Sequence, residues 1–359
     1  MDIAHIITTV SRGGAELQLL LLAEEQLNQG HAVTVFPLKE SLDLEKDFRS
    51  LGVNIDLSIH KKRFLRQRSI LKRILKSRKI DVLHAHLPRA ELLIASLPHK
   101  NKFCSRHFGG KFFPGRNVYL SRMLSRYATR DMKAVIAISE SVELMLRKKK
   151  EVKLSARIVV VQYGFSSSRF KQKAERNAQF LIGENSEKRT FTCFARLSPE
   201  KNLIFLLRAW SEVHKKRPHW DLKIFGTGSQ YDEVVTECRR LRLNSQEIFR
   251  GHTGNVEFEL ARSSAVIFPS QFEGFGMVLL EAMSVGVPII ASDIPICREV
   301  LGSDGAAVFF SLGQPAFLSK VLLEMDLLIK ANFQEFQARR LVLYDIRSTA
   351  KKIEKVYLS

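Results

Sequence analysis

The sequence predicts an α/β protein made of two successive units, each a parallel sheet covered by helices on both faces. Three observations predict it. The chain is 359 residues long, more than one ordinary core needs and enough for two domains of roughly 150–200 residues. Short β-branched runs alternate with amphipathic stretches along most of its length, which is the pattern of crossover-connected parallel strands. A polar, aperiodic stretch at about 166–188, opening with Ser166-Ser167-Ser168, interrupts that alternation near the middle and reads as a linker.

The elements follow in order. Residues 3–8 are a β-branched run, followed by Ser11-Arg12-Gly13-Gly14 and a helix pattern at 15–28 that places Leu17, Leu20, Leu21 and Leu27 largely on one face. Gly30 stops that helix, and 32–38 is the next strand. A basic helix at 64–79 leads into a strand at 81–85, a helix at 117–130 into a strand at 133–138, and a strand at 157–161 closes the series. After the linker the pattern restarts with strands at 190–194, 221–225, near 248–251, 265–269 and 288–291. Helices at 203–215, 230–241, 255–262 and 276–284 separate them, and a last helix lies near 346–359. Ligands of such sheets sit beyond the carboxyl ends of the strands, so two units predict a cleft between them.

Composition narrows the class. Hydrophobic residues at 45% and charged residues at 26% fit a globular chain. The first residues carry no basic, leader-like segment, and no apolar run approaches the roughly 18–20 residues that cross a bilayer. Cys104, Cys193, Cys238 and Cys297 are scattered, without metal-binding or redox spacing. A cytoplasmic location is expected. The net charge of +20 is uneven: residues 1–172 hold 32 Lys+Arg against 15 Asp+Glu (net +17), and the remainder 25 against 22 (net +3). Such a field attracts polyanions or anionic lipid, and it equally describes a well-solvated surface.

The most informative stretch is Pro269-Ser270-Gln271-Phe272-Glu273-Gly274-Phe275-Gly276-Met277-Val278-Leu279-Leu280-Glu281, continuing to Gly286-Val287-Pro288. A strand ends, a glycine turn follows and a helix opens, whose free N–H groups suit a diphosphate. Glu273 and Glu281 stand about 12 Å apart along that helix, far enough to hold two hydroxyl-bearing parts of one elongated ligand. The stretch resembles the E-x7-E signature of glycosyltransferase family 4, retaining enzymes of GT-B fold. The resemblance implies two Rossmann-like domains with parallel sheets facing across a cleft. It assigns the donor sugar to Glu273, the ribose to Glu281 and the phosphates to the backbone of Phe275, Gly276 and Met277, with Gly274 also in the donor site.

Further segments carry the same resemblance. Ala195-Arg196-Leu197-Ser198-Pro199-Glu200-Lys201-Asn202 is similar to a family turn whose arginine and lysine bind the diphosphate, here Arg196 and Lys201. Ala195 and Asn202 stand where glycine is usual, and Asn tolerates a left-handed backbone. Phe225-Gly226-Thr227-Gly228 sits at a family glycine turn, which places Gly226 near the nucleotide. His252 falls where the base is contacted. Ser11-Arg12-Gly13-Gly14-Ala15-Glu16 resembles the family's N-terminal turn, with Gly13 and Gly14 needed for close approach or a positive φ. In Asp81-Val82-Leu83-His84-Ala85-His86, His84 reads as structural, and His86 is open between structure and cleft. His107 is implied beside the donor sugar, and Tyr163-Gly164 departs from a usual Asn-Gly.

No Asp-x-Asp motif is present, so neither metal nor other cofactor is expected, and Arg196 with Lys201 would offset the diphosphate charge. The resemblance implies an acceptor-binding domain at 1–168 plus the last helix, and a nucleotide-sugar donor domain at 169–345. Catalysis falls to Glu273, His107, Lys201 and Arg196. The implied activity is retaining transfer of a sugar from a nucleoside diphosphate to an acceptor hydroxyl, in cell-surface polysaccharide, lipopolysaccharide or glycolipid synthesis. Alternatives are a sugar-nucleotide epimerase, a phosphorylase or a non-catalytic polyanion binder; nucleic acid is disfavoured for want of a recognition motif. Two basic segments also fit an anionic membrane's inner face: the helix at 64–79, which fits a crossover helix equally, and Lys111-Phe112-Phe113-Pro114-Gly115-Arg116.

Overall fold

The structure, a computed structural model, describes residues 1–359 apart from 109, 111, 114–116, 179–188 and 326–332. It divides into two units, one of Met1–Phe165 with Tyr344–Ser359 and one of Ser166–Leu343. The first runs β1 (Asp2–Ile7), α1 (Gly14–Asn28), β2 (Ala32–Pro37), α2 (Glu45–Ser50), β3 (Asn54–Ile55), α3 (Phe64–Ser77) and β4 (Val82–His86). It continues through α4 (Pro88–Ala95), β5 (Lys102–Arg106), α5 (Val118–Ala128), β6 (Ala134–Ala137), α6 (Glu140–Lys148) and β7 (Ile158–Val160). The strands form one parallel sheet in the order β3-β2-β1-β4-β5-β6-β7.

The closing helix Ile346–Leu358 returns to this unit. Its Ile353, Val356 and Tyr357 join Ile3, Val82 and Phe103 in one buried cluster. Asp345 caps it by accepting from the Arg347 and Ser348 N–H groups. Phe165 N–H donates to Tyr344 O at 2.7 Å, and Ile346 N–H returns a bond to Phe165 O at 3.2 Å. Gly164 allows this approach, because a Cβ there would meet Ile346 Cα at 2.6 Å.

The second unit runs α7 (Ser167–Ala178), β8 (Thr190–Phe194), α8 (Leu203–Lys216), β9 (Asp221–Phe225), α9 (Tyr231–Arg240), α10 (Ser245–Ile248), α11 (Val256–Ala261) and β10 (Ala265–Phe268). Then come α12 (Met277–Val285), β11 (Ile289–Ser292), α13 (Pro295–Leu301), β12 (Val308–Phe310), α14 (Pro315–Leu323) and a helix Phe333–Leu341. Its parallel sheet has the order β12-β11-β10-β8-β9. Its core gathers Phe191, Trp210, Trp220, Ile224 and Ile267.

Two expectations need correcting. The stretch expected as a linker begins with helix α7, which buries Ala174 and packs on α11 and α12; its remainder, 179–188, lies outside the described residues. The strand expected near 248–251 is a single bridge from Phe249 to Ile224 after the one-turn helix α10.

Candidate active site

In the second unit the strand order reverses between β8 and β10. In open α/β sheets ligands bind beyond the carboxyl ends at such a point. The chain sends its two richest motifs there, residues 195–202 after β8 and 269–276 after β10. Lys201 Nζ donates to Glu273 Oε2, with the two side chains only 12% and 19% exposed. The loops are stitched further: Gln271 N–H donates to Glu200 O at 2.9 Å, and Gln271 Nε2 to Asn202 Oδ1 at 3.1 Å. Asn202 sits at φ 56°, ψ 37°, left-handed as the glycine it stands for would be, and α8 starts from it.

Gly226 and Gly228 serve this loop from behind. A Cβ on Gly226, at φ +143°, would come 2.0 Å from Ala195 O, and one on Gly228 would come 2.4 Å from Leu197 O. Their turn holds the loop by Ala195 N–H to Phe225 O at 2.9 Å and Leu197 N–H to Thr227 O at 3.0 Å. The two glycines therefore clear space for the Ala195 and Leu197 backbone on either side of Arg196, a role the sequence did not disclose. Arg196 itself is 78% exposed and reaches Glu200 at 3.9 Å, so it stands in solvent while Lys201 is enclosed.

Gly276 takes φ +84° and caps α12 without a side-chain hydrogen bond to its first-turn N–H groups. Glu273 Oε1 accepts from Gly274 N–H at 3.2 Å, and the Phe275 ring is buried beneath the turn, with Met277 half-buried at the helix start. Further along α12, burial and the charge of Glu257 push the Glu281 carboxyl up to about 7. Glu257, on α11, is paired at 2.6 Å with Lys173 of α7. Neither residue was singled out from sequence: Lys173 lies in the expected linker, and Glu257 has no motif. His252 is exposed.

The first unit reverses its strand order between β1 and β4. After β1, Glu16 Oε1 accepts from Thr9 Oγ1 at 2.8 Å and Ser11 Oγ at 2.9 Å, tying the glycine turn to α1. Gly13 has φ −110°, and a Cβ there would lie 2.5 Å from Glu16 Oε2; around Gly14 a Cβ would meet nothing within 4 Å. Tightness at Gly13 and open space at Gly14, not a positive φ, set these positions.

After β5, His107 is half-buried and both its ring nitrogens are engaged, Nε2 with His86 Nδ1 at 3.2 Å and Nδ1 with the Tyr163 hydroxyl. Burial, with Arg106 beside it, pushes His107 down to about 3. Tyr163 thus replaces the expected asparagine with a direct partner of His107. His84 is structural, held between Tyr357 Oη at 2.7 Å and Ser105 Oγ at 2.8 Å. Burial keeps His84 and His86 well below the usual histidine range and lowers His5 to about 4.

The two basic segments behave differently from each other. Helix α3 is a crossover helix: Leu71 is buried, and buried Gln67 donates to Leu38 O at 3.1 Å and Ile59 O at 3.0 Å. Phe112 is buried with the Arg106 guanidinium 4.5 Å from its ring centre, which removes it from any lipid contact; Lys111, Pro114, Gly115 and Arg116 lie outside the described residues. Helix α5 is inside out. Ser121, Ser125 and Ala128 face the protein, while Tyr119, Met123 and Tyr127 form an outward stripe that is 78%, 67% and 40% exposed. Among the described residues no helix is long and apolar enough to cross a membrane.

Comparison with known proteins agrees with this architecture. Residues 12–169 match the family model described as Glycosyltransferase Family 4, and residues 175–325 the one described as Glycosyl transferases group 1. A poly(glycerol-phosphate) alpha-glucosyltransferase of Bacillus subtilis is 35% identical over 126 residues, covering 35% of this chain and 19% of the other. An uncharacterized glycosyltransferase of Haemophilus influenzae is 33% identical over 119 residues, covering 32% of this chain and 34% of the other. The matched region is therefore about a fifth to a third of these relatives' length. Anabaena Alr3699/HepE, solved with UDP and glucose, superposes with a TM-score of 0.81 at 18% identity, over 99% of this chain and 98% of that one. TarM superposes with a TM-score of 0.75 at 11% identity over 100% of this chain and 99% of that one. The fold is GT-B, and each half of the chain carries a glycosyltransferase domain.

Proposed function

We propose that this chain, with a glycosyltransferase domain in each half, moves a sugar from a nucleoside diphosphate to an acceptor hydroxyl with retention at the anomeric carbon. The observation that carries the reading is the Lys201–Glu273 pair, drawn together from two loops at the strand-order reversal of the second unit. A cation held there by a carboxylate can exchange that partner for a diphosphate, and Glu273 is then released toward the sugar. Glu281 takes the ribose hydroxyls, and the N–H groups opening α12 meet phosphate oxygens. Arg196, exposed and bonded at long range, has the freedom to fold over the diphosphate as a planar fork of donors.

In the reaction the acceptor oxygen bonds to the anomeric carbon as the bond from that carbon to the diphosphate oxygen breaks. The acceptor proton passes to the departing diphosphate on the same face. Lys201 and Arg196 stabilise the charge that develops there, a term that commonly reaches about 10²–10³ in rate per donor. No metal or other cofactor is invoked. In the first unit, the glycine turn after β1, with open space around Gly14, is the approach offered to the acceptor.

The outward stripe of α5 supports a second element, contact with an anionic membrane surface. Aromatic and thioether side chains beside Arg126 and Arg130 suit an interface of lipid headgroups. The stripe replaces the buried Phe112 as the lipid-facing element. Polysaccharide assembly at a membrane fits both features. The transferase reading is tested by thermal shift with a panel of nucleotide sugars: one donor should raise the melting temperature, and no shift with any donor would contradict it. Vesicle flotation tests the membrane element, which equal recovery of wild type and Tyr119→Ser/Met123→Ser would remove.

A further inference from the structure

Behind His107 lies a set of buried polar groups that the proposed reaction does not use. His5, His84, His86, Gln26, Tyr357 and Ser105 come from β1, β4, α1, the closing helix and β5, and each is at most 5% exposed. Their hydrogen bonds form a single line. His107 Nε2 meets His86 Nδ1 at 3.2 Å, His86 Nε2 meets His5 Nδ1 at 3.0 Å, and His5 Nε2 meets Gln26 Oε1 at 2.8 Å. On the far side Gln26 Nε2 donates to Tyr357 Oη at 3.4 Å, and His84 continues to Ser105.

We propose that this line sets which nitrogen of His107 carries the proton, so that His5 and Gln26 are positioning residues for a ring they do not touch. The direction follows from one end. Gln26 Oε1 can only accept, so His5 Nε2 carries its hydrogen. A neutral imidazole then has a bare Nδ1, which requires His86 to donate from Nε2. The bare Nδ1 of His86 in turn requires His107 to donate from Nε2. His107 Nδ1 is left to accept from the Tyr163 hydroxyl. Burial keeps the imidazoles neutral, and the Arg106 cation beside His107 adds to the cost of charging that ring. In this order every ring nitrogen has a partner.

The line has one other consistent order. If the Gln26 amide turns over, its N–H faces His5, and every bond along the line reverses together. A lone reversal would leave one ring with two hydrogens or none. His107 Nδ1 would then carry a hydrogen, and a ligand oxygen in place of Tyr163 would find a donor instead of an acceptor. No charge moves in or out. The importance of this for sugar transfer rests on the function proposed above; the proton order itself does not.

The group His5, His84 and His86 also brings three possible metal-ligand atoms within 4.8 Å of one another. Each candidate nitrogen already has its hydrogen-bond partner, so a cation would have to displace the line.

The test is long-range 1H–15N correlation of histidine ring nitrogens in the full chain. His5, His86 and His107 are expected as the Nε2–H tautomer near neutral pH. Gln26→Met removes the end that fixes direction and should move the His107 nitrogen shifts toward a mixture of tautomers. Tyr163→Phe removes the contact on His107 itself and should leave it Nε2–H. A charged or Nδ1–H His107 in wild type would overturn the proposal. So would a tautomer that responds to Tyr163→Phe and ignores Gln26→Met, or zinc chloride shifting the His5, His84 and His86 rings at one equivalent. If Gln26→Met does not fold, the wild-type and Tyr163→Phe spectra still decide. The spectra need no substrate, so failure of the transferase reading leaves this outcome separate.

Discussion

Both units place polar side chains near the point where sheet order reverses, in loops beyond the strands in the second and largely within β1 and β4 in the first, and solve opposite electrostatic problems there. The second unit keeps charges: Lys201 against Glu273, Arg196 in solvent, and Glu281 near the Glu257–Lys173 pair. The first unit buries neutral groups, a line of imidazoles with hydroxyl and amide partners. Charges that can exchange partners suit a doubly anionic leaving group. A neutral buried line holds geometry without adding charge to its own unit. The contrast teaches that one sheet architecture can carry exchangeable charges in one copy and a neutral hydrogen-bonded line in another.

The comparison breaks most readily at Lys201. Lys201→Ala leaves Glu273 without its cation and removes charge from the diphosphate, and turnover at saturating donor should fall by about 10²–10³. Retained turnover would show that the second unit's charges are not the catalytic ones.

The next largest effect contrasts glycines. Gly226→Ala drives a Cβ onto Ala195 O at a positive φ and should cost about 2–4 kcal/mol in urea unfolding. Gly14→Ala meets open space, so it should change stability by less than about 1 kcal/mol while weakening ligand affinity. Equal destabilisation by both would mean that Gly14 is structural.

Protonation separates the units by sign. Glu281 titrates near 7, and its ionised form accepts ribose hydrogen bonds better. Nucleotide affinity should therefore rise about tenfold from pH 6 to pH 8 as the competent fraction grows, and Glu281→Gln should flatten the profile. His5 is shifted down rather than up, and it bears on stability instead. Its folded value, about 4, lies below the ordinary 6.5, so the unfolded state binds more protons between those values. Stability is full above 6.5 and is lost as pH falls toward 4, by on the order of 3 kcal/mol for this group alone. Acid unfolding of wild type against His5→Gln measures it.

The smallest effect is at Asn202. Asn202→Ala should cost about 1 kcal/mol because the left-handed backbone no longer suits the side chain, whereas Asn202→Gly should be close to neutral. Thermal melts of the two variants sharpen how much the Lys201 turn depends on its backbone.

Much of this was legible in sequence where a function is written into consecutive residues. The Glu273 turn, the Lys201 segment and the alternating elements around them are local, and the strands at 190–194 and 221–225 were placed at the bounds the structure shows. Asn202 could be read as a glycine substitute because left-handed geometry has few tolerant residues. What escaped was whatever depends on distant backbone. Gly226 and Gly228 matter because another loop lies against them. Helix α7 went unread because its apolar marks are few, Phe170 and Ala174 in a polar stretch. The helix at 117–130 was legible in the pattern, but not that its small residues face inward. The imidazole line is drawn from separate strands and helices, so no spacing along the chain could disclose it.

The central claim is that residues around Glu273 and Glu281 bind the nucleoside diphosphate of a sugar donor. Isothermal titration of UDP, GDP and ADP into wild type and Glu281→Ala tests it most directly. One nucleotide should bind wild type, with at least about tenfold loss in the variant, as expected for removal of hydrogen bonds to a charged group. Binding of none of them, or equal affinity in both proteins, would contradict the account.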